Sequence, residues 1–449
     1  MDTSLAGASV LVAGAGLAGL TAARDLADMG ADVTVIDARD RVGGRVLTAR
    51  NGFTDSQHGE AGGEMIDEAQ HEIRQLAEEL GLKLVRILKT GFGYARPGRD
   101  GRVRIARESG SRGWERLANR LEDMTRLYRF AERRWDTPIA ADLARRSVAD
   151  WLEQTNADEE LRTTVVGLRG FFLADPEELS LLALVDQFSS NDTARFGPVY
   201  RIVGGNDRLP ALLAHRLGDR VRLKTELVSV SHRGRGIRAG VKRDRRQAQM
   251  HCDYLIFALP ATLLRRIPIT PALPAQQHEA IARLKYGRGT KTLLQFSQRF
   301  WRAPGIPRAF GSSLPFGAVW DANEEQRGRP GILALLAGGS ASDQTGAIAA
   351  REGAAGLARS LDWLGARGAS VVACHQTAWE NDPWARGGYA AFDSTFDPSL
   401  RAWLARPFGR LFFAGEHTSV QWQGYMNGAV ESGRRAAAEV AATHRLGIA

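Results

Sequence analysis

The sequence predicts an α/β fold arranged as two discontinuous domains. Three observations predict it: a strand, glycine turn, helix and second strand within the first 37 residues, a mostly helical stretch between residues 83 and 203, and a strand, glycine turn and small-residue helix near the C-terminus. The opening unit is the most specific of the three. Residues 9–13 form a short apolar run that reads as a buried strand. Gly14-Ala15-Gly16-Leu17-Ala18-Gly19 then makes a G-x-G-x-x-G turn leading directly into a helical pattern over 20–29. A second apolar run, 32–36, ends in Asp37. In this arrangement Gly14 allows the tight turn, Gly16 lets the backbone approach a pyrophosphate, and Gly19 lets helix and strand pack closely. The helix N-terminus, with Leu17 and Ala18, faces the phosphates with unpaired N–H groups. Asp37 is placed to accept hydrogen bonds from ribose hydroxyls. A lone glycine motif is weak evidence, but strand, glycines, helix, strand and acid in this order mark a Rossmann-like dinucleotide site.

The next nine residues bear on which dinucleotide. Asp37-Ala38-Arg39-Asp40-Arg41-Val42-Gly43-Gly44-Arg45 resembles the segment that follows the second strand in flavoproteins binding FAD. Gly43 and Gly44 permit close backbone approach, and Arg39, just after Ala38, and Arg45 bring cationic donors towards the ADP moiety. Further on, Glu60-Ala61-Gly62-Gly63-Glu64-Met65-Ile66-Asp67 precedes a helix ending near Leu80. Gly62, Gly63, Glu64 and Met65 read as a second close backbone approach, beside the flavin ring. His58 and His71 carry no metal expectation, because His71-Glu72-Ile73-Arg74-Gln75 lacks the second histidine of H-E-x-x-H.

Two strand-like pieces around Ile87 and Val103 come next, then helical patterns over 115–134, 147–154, 159–172 and 178–188. Gly204-Gly205 marks a return to the first domain, followed by a helix over 209–217. Strands are expected over 220–223, 227–232, 237–242 and 248–259, with a hairpin tip at Gly234-Arg235-Gly236 and a second around Arg243. A helix to Leu284 leads into a strand over 291–296. The second domain resumes there. Residues 1–82, 204–285 and 407–449 are thus assigned to an FAD-binding domain, and 83–203 and 286–406 to a substrate-binding α+β domain with a mixed sheet and helices. At the C-terminal end a strand over 410–413 runs into Ala414-Gly415-Glu416-His417, and a helix beginning near Gln423 carries Gly433, Ala436 and Ala437. Small residues at helical spacing allow that helix to pack against the first glycine turn, with its N–H groups facing flavin oxygens. His417 is expected to play a structural part.

Composition narrows the remaining classes. The net charge of +9 comes from arginines scattered along the chain, with no aromatic-interleaved basic stripe, so nucleic acid is not an expected partner. No apolar run is long enough to span a bilayer, the N-terminus lacks a signal peptide, and two distant cysteines fit a reduced, cytoplasmic protein.

Taken with Lys291 ahead of Phe300-Trp301 and the C-terminal A-G-E-H…W-x-G-Y-M-N-G-A-V-E-S-G, the chain resembles the flavin-containing amine oxidase family over essentially its whole length. The first half of the pattern is shared with carotene desaturases and protoporphyrinogen oxidases; the second half is more specific. The resemblance implies a Rossmann-like domain of the glutathione-reductase/p-hydroxybenzoate-hydroxylase type. It implies that Val228 contacts the adenine side through its backbone, that Gly415, Glu416 and Met426 meet the flavin end, and that Lys291 holds a water against flavin N5. Tyr389 and Tyr425 match the aromatic pair that flanks the substrate amine, with Trp422 beside them. Relatives that bond FAD covalently carry a cysteine where this chain has Gly388, so noncovalent FAD is expected, and the membrane-anchored version of the family is not implied. The implied reaction takes an amine to an imine, with O2 as the expected acceptor and a cytochrome or quinone as alternatives. A carbon–carbon desaturase, an amino-acid oxidase and a non-catalytic flavoprotein stay open, as does the oligomeric state, a homodimer being one option.

Overall fold

A computed structural model describes residues 5–98, 100–106, 109–189, 197–232, 236–366 and 369–447. Its organising sheet has five parallel strands in the order Val221–Arg222, Asp32–Ile36, Ser9–Ala13, Tyr254–Phe257, Leu411–Phe413. Parallel sheets are covered on both faces, which is why these strands read as continuous apolar runs. The side chains nevertheless alternate: Val10, Val12, Val33 and Val35 enter one core with the helices Leu17–Asp28 and Met426–Arg445, while Leu11, Ala13, Leu255 and Phe257 enter the other. The two helices pack closely because Gly433 lets them: a Cβ there would lie 2.4 Å from the Ala18 carbonyl oxygen.

Three expectations are corrected here. The run 248–259 is not one strand. It divides at Asp253 into Arg246–Cys252, in a four-stranded sheet, and Tyr254–Phe257, in the parallel sheet. The Asp253 carboxylate accepts from the backbone N–H and the hydroxyl of Ser9 at 2.9 and 2.7 Å, which moves the chain from one sheet to the other. The pattern over 159–172 breaks into Glu159–Val166 and Arg169–Phe172; Gly167 ends the first of these, and Tyr94 occupies the space a side chain there would need. Phe92–Pro97, a strand hidden by its glycine and proline, pairs in parallel with Ala309–Ser312. The expected hairpin tip at Gly234-Arg235 lies outside the described residues, apart from Gly236.

That last strand completes a seven-stranded mixed sheet, ordered Val371–Ala378, Gly289–Phe296, Gly331–Gly338, Ala318–Asp321, Ala309–Ser312, Phe92–Pro97, Val103–Ala106. All eight residues of Gly289–Phe296 are buried. Leu294 and Phe296 face a core under the helix Ser340–Arg359, and Leu293 faces Ala61 and Trp320 on the other side. Lys291 shares the parity of Leu293, so it too faces inward, towards the Gly62-Gly63 turn.

Candidate active site

One cavity of about 1490 Å³ runs between the two large sheets. Every residue singled out from the sequence as catalytic or cofactor-binding lines it, except Gly19. Gly19 serves the turn from behind: a Cβ there would sit 1.9 Å from the Gly14 carbonyl oxygen.

The nucleotide end is made mostly of backbone. The helix Leu17–Asp28 starts at Gly16 with no side-chain cap and no acid in its first turn, so its leading N–H groups are left for an anion. Nothing lies within 4 Å of a Cβ built on Gly16. Asp37 accepts from the N–H groups of Ala15 and Arg39, both at 2.8 Å, and burial raises its pKa. Val228 lies in the gap between the Leu227↔Val241 and Ser229↔Gly240 pairs, where the ladder shifts register. A bulge of this kind takes a backbone unit out of the ladder and leaves it for another partner. Ala38, Gly43, Gly44 and Leu17 complete this wall. Arg39 is used differently from the sequence expectation: its guanidinium is taken bidentately by Asp382 at 2.8 and 2.7 Å. Arg45 likewise donates to Glu416 at 2.8 Å and to the Gly388 carbonyl at 2.9 Å, over the Tyr286 ring.

Side chains build the other end. Lys291 Nζ donates to the Gly62 carbonyl at 3.1 Å, forms an ion pair with Glu64, and lies 5.0 Å from the centre of the Trp320 ring. Trp379 donates to the Ala61 carbonyl at 3.1 Å, holding the same turn. Met426 packs against Gly63, and the helix Met426–Arg445 begins at Tyr425 without a side-chain cap. Glu416 accepts from the Gly424 N–H at 2.9 Å. Burial works against its charge, but Arg45, with the Gly424 N–H, more than offsets that and holds its pKa below the usual carboxylate value. Tyr425 meets Trp422 edge-on at 5.8 Å and Phe171 at 6.3 Å, and its hydroxyl accepts from Gln187 at 3.4 Å. Tyr389 donates to the Phe171 carbonyl. Burial raises both phenols, so each stays neutral.

Trp320, Trp379, Phe171, Gln187 and Asp67 are wall residues that the sequence did not single out. Only Trp320 carried a local signal, an alternating face with Ala318. His417 is buried, does not line the cavity, and has its pKa pushed down to about 4 by burial. Among the described residues, no three His, Cys, Asp or Glu side chains converge as a metal site would need, and no helix is long and apolar enough to cross a membrane.

An uncapped helix N-terminus, an acid at the end of the second strand, a bulge beyond them and a two-tyrosine wall at the far end of one cavity fit FAD lying full length. The class these features define is an FAD-dependent oxidoreductase. The sequence pattern of the flavin containing amine oxidoreductases matches residues 17–441, and the chain belongs to that family. Flavin-containing amine oxidase A of Sus scrofa is 28% identical, over 96% of this chain and 84% of its own. Among solved structures, putrescine oxidase bound to putrescine is 26% identical with a TM-score of 0.84, over 97% of this chain and 99% of that one. Cyclohexylamine oxidase from Brevibacterium oxydans IH-35A is 25% identical with a TM-score of 0.87, over 98% and 99%. FAD is the cofactor, and oxidation of an amine at its C–N bond is the reaction class.

Proposed function

We propose that this chain oxidises a primary or secondary amine to an imine, which water hydrolyses to an aldehyde or ketone and an amine or ammonia. The chemistry FAD supplies when bound is acceptance of a hydride from the amine α-carbon at N5, with the electron pair then leaving to O2 as H2O2. The observation that carries the reading is the shared cavity: Lys291, buried in a fully buried strand, opens onto the same space as Tyr389, Tyr425 and the uncapped helix Leu17–Asp28.

The roles of the chain's own groups follow from their surroundings. Gly14, Gly16, Gly43 and Gly44 would bring backbone against the pyrophosphate, Asp37 would take the ribose, and Val228 would meet the adenine through its backbone. Gly62, Gly63, Met65, Gly415 and Met426 would border the ring system. Tyr389 and Tyr425 present neutral ring faces that steer the amine nitrogen, and with Trp422 and Phe171 they exclude water. Desolvation in such a wall lowers the amine's pKa, favouring the uncharged form that can release hydride. Lys291 would hold a water with the N–H that Glu64 and Gly62 leave free. Neither Cys252 nor Cys374 lines the cavity, which supports noncovalent binding of FAD. The five-stranded and seven-stranded sheets support two discontinuous domains with the boundaries given above. Of the arginines that line the cavity, Arg133 is matched by Asp186 at 3.0 Å.

The test is an anaerobic titration of the yellow protein with monoamines, diamines, polyamines and amino acids, following the flavin band near ~450 nm. Bleaching by an amine class supports the reading and names the class. Bleaching by dithionite alone overturns it in favour of a desaturase.

A further inference from the structure

We propose that Glu64 is a positioning residue for Lys291: its carboxylate, itself clamped by Arg201 and Trp320, holds the Lys291 ammonium against the Gly62 carbonyl and supplies its counter-charge. This rests on the reading that Lys291 serves the oxygen-consuming half of turnover. The sequence placed Glu64 among the cofactor contacts, but both of its oxygens are already occupied. One accepts from Lys291 Nζ; the other accepts from Arg201 at 2.6 Å and from the Trp320 indole at 2.9 Å. Arg201 continues the chain to Glu325 at 3.1 Å and to the Ala322 carbonyl.

The side chains of Lys291, Glu64 and Arg201 are 4%, 3% and 1% exposed, so the pairing is shielded from water and salt. An isolated charge at that depth is unfavourable, and a buried charge persists only when paired and hydrogen-bonded. The tetrad of Lys291, Glu64, Arg201 and Glu325 balances two cations with two carboxylates. It draws its members from four segments: the turn at 62–64, Val199–Ile202, Gly289–Phe296 and the loop after Ala318–Asp321. The other titratable groups facing it are Glu60, beside Glu64, Asp321, beside Arg201, and His58, near Arg201 and Glu325. Burial works against the Glu64 carboxylate, and Lys291 and Arg201 more than offset it, so its pKa lies below the usual value. Glu64 therefore stays charged where Lys291 needs a partner. The arrangement also fixes direction: with one N–H on Glu64 and one on Gly62, the third is left for the cavity.

Glu64→Gln tests this, since it keeps the shape and an acceptor for Trp320 but removes the charge. The readouts are FAD content and the rate constant of flavin reoxidation by O2 in stopped flow, from about pH 6 to about pH 9. In the native protein that rate is expected to vary only as far as the charging of Glu60 at about 7 moves it, and the variant is read against that profile. In Glu64→Gln the stranded ammonium gives up its proton as pH rises. The rate should lie nearer the native one at the acid end and fall at least ~10-fold further, towards the Lys291→Met rate, at the alkaline end. A profile parallel to the native one, or a uniform drop at all pH values, overturns the proposal. If Glu64→Gln fails to accumulate as yellow protein, the double variant Glu64→Gln/Lys291→Met decides. Recovery of FAD binding supports the pairing, because no buried ammonium is then stranded, and continued failure overturns it. Should Lys291→Met itself leave reoxidation unchanged, the underlying reading of Lys291 fails instead.

Discussion

The two ends of the cavity are made of different material. At the nucleotide end the groups facing inward are the first N–H groups of the helix Leu17–Asp28, glycine backbone, and the bulge at Val228, with Asp37 as the one carboxylate braced against the turn. At the amine end they are side chains: Lys291, Glu64, Trp320, Trp379, Tyr389 and Tyr425, each held by a partner far away in sequence. The difference teaches where substitution is tolerated. Backbone presents the same N–H and C=O whatever side chain it carries, so apart from Asp37 the nucleotide end constrains mainly positions where a Cβ has no room. At the amine end, every atom that matters belongs to a particular residue.

The largest effect that would sharpen this contrast comes from Gly19→Val. With a Cβ 1.9 Å from the Gly14 carbonyl oxygen, helix and turn must separate, costing about 3 kcal/mol or more. Urea unfolding should show the loss, together with colourless protein. A normally stable yellow variant would break the account of the glycine turn.

Next is Glu60→Gln, in the buried polar cluster beneath the Gly62-Gly63 turn. Glu60 accepts from the Asn206 N–H at 2.9 Å and the Thr48 hydroxyl at 2.8 Å, and burial pushes its pKa up to about 7. A carboxyl with a raised folded pKa contributes stability that is fully present below its unfolded value and is lost as pH rises through the folded one. The native protein should therefore lose up to roughly 3 kcal/mol from this group between about pH 4.5 and about pH 8. The variant should be the more stable of the two at about pH 8. Denaturant midpoints at both pH values check it; equal pH dependence in the two proteins would refute it.

Lys291→Met should slow flavin reoxidation on the order of 100-fold while leaving reduction by amine within about 3-fold, because it removes a charge and a water-holding N–H without altering the tyrosine wall. Separate stopped-flow runs for the two half-reactions distinguish these. The smallest effect is expected at Val228→Ala: on the proposal that its backbone meets the adenine, FAD affinity by fluorescence titration should change less than about 2-fold. A much larger loss would mean that the valine side chain carries the contact, and the contrast between the two ends would weaken.

Much of the nucleotide end was legible in the residues alone. The strands Ser9–Ala13 and Asp32–Ile36 and the turn between them lie where the pattern put them, because turn and helix-start chemistry depends on residues within a few positions. The amine end was legible as a set of residues, Lys291, Tyr389, Tyr425 and Trp422, but not as an arrangement. Arg39 reads as a donor to the nucleotide until the fold brings Asp382, 343 positions away, against it. Glu64 reads as a cofactor contact until Lys291, 227 positions away, takes its carboxylate. The break at Asp253 depends on Ser9, 244 positions earlier, and the strand Phe92–Pro97 is stabilised by a neighbour from beyond residue 300. Local conformational preference is a property of the residues themselves and their immediate neighbours. The partner of a buried charge, and the sheet a strand joins, are set by which surfaces meet when the two sheets close on one another.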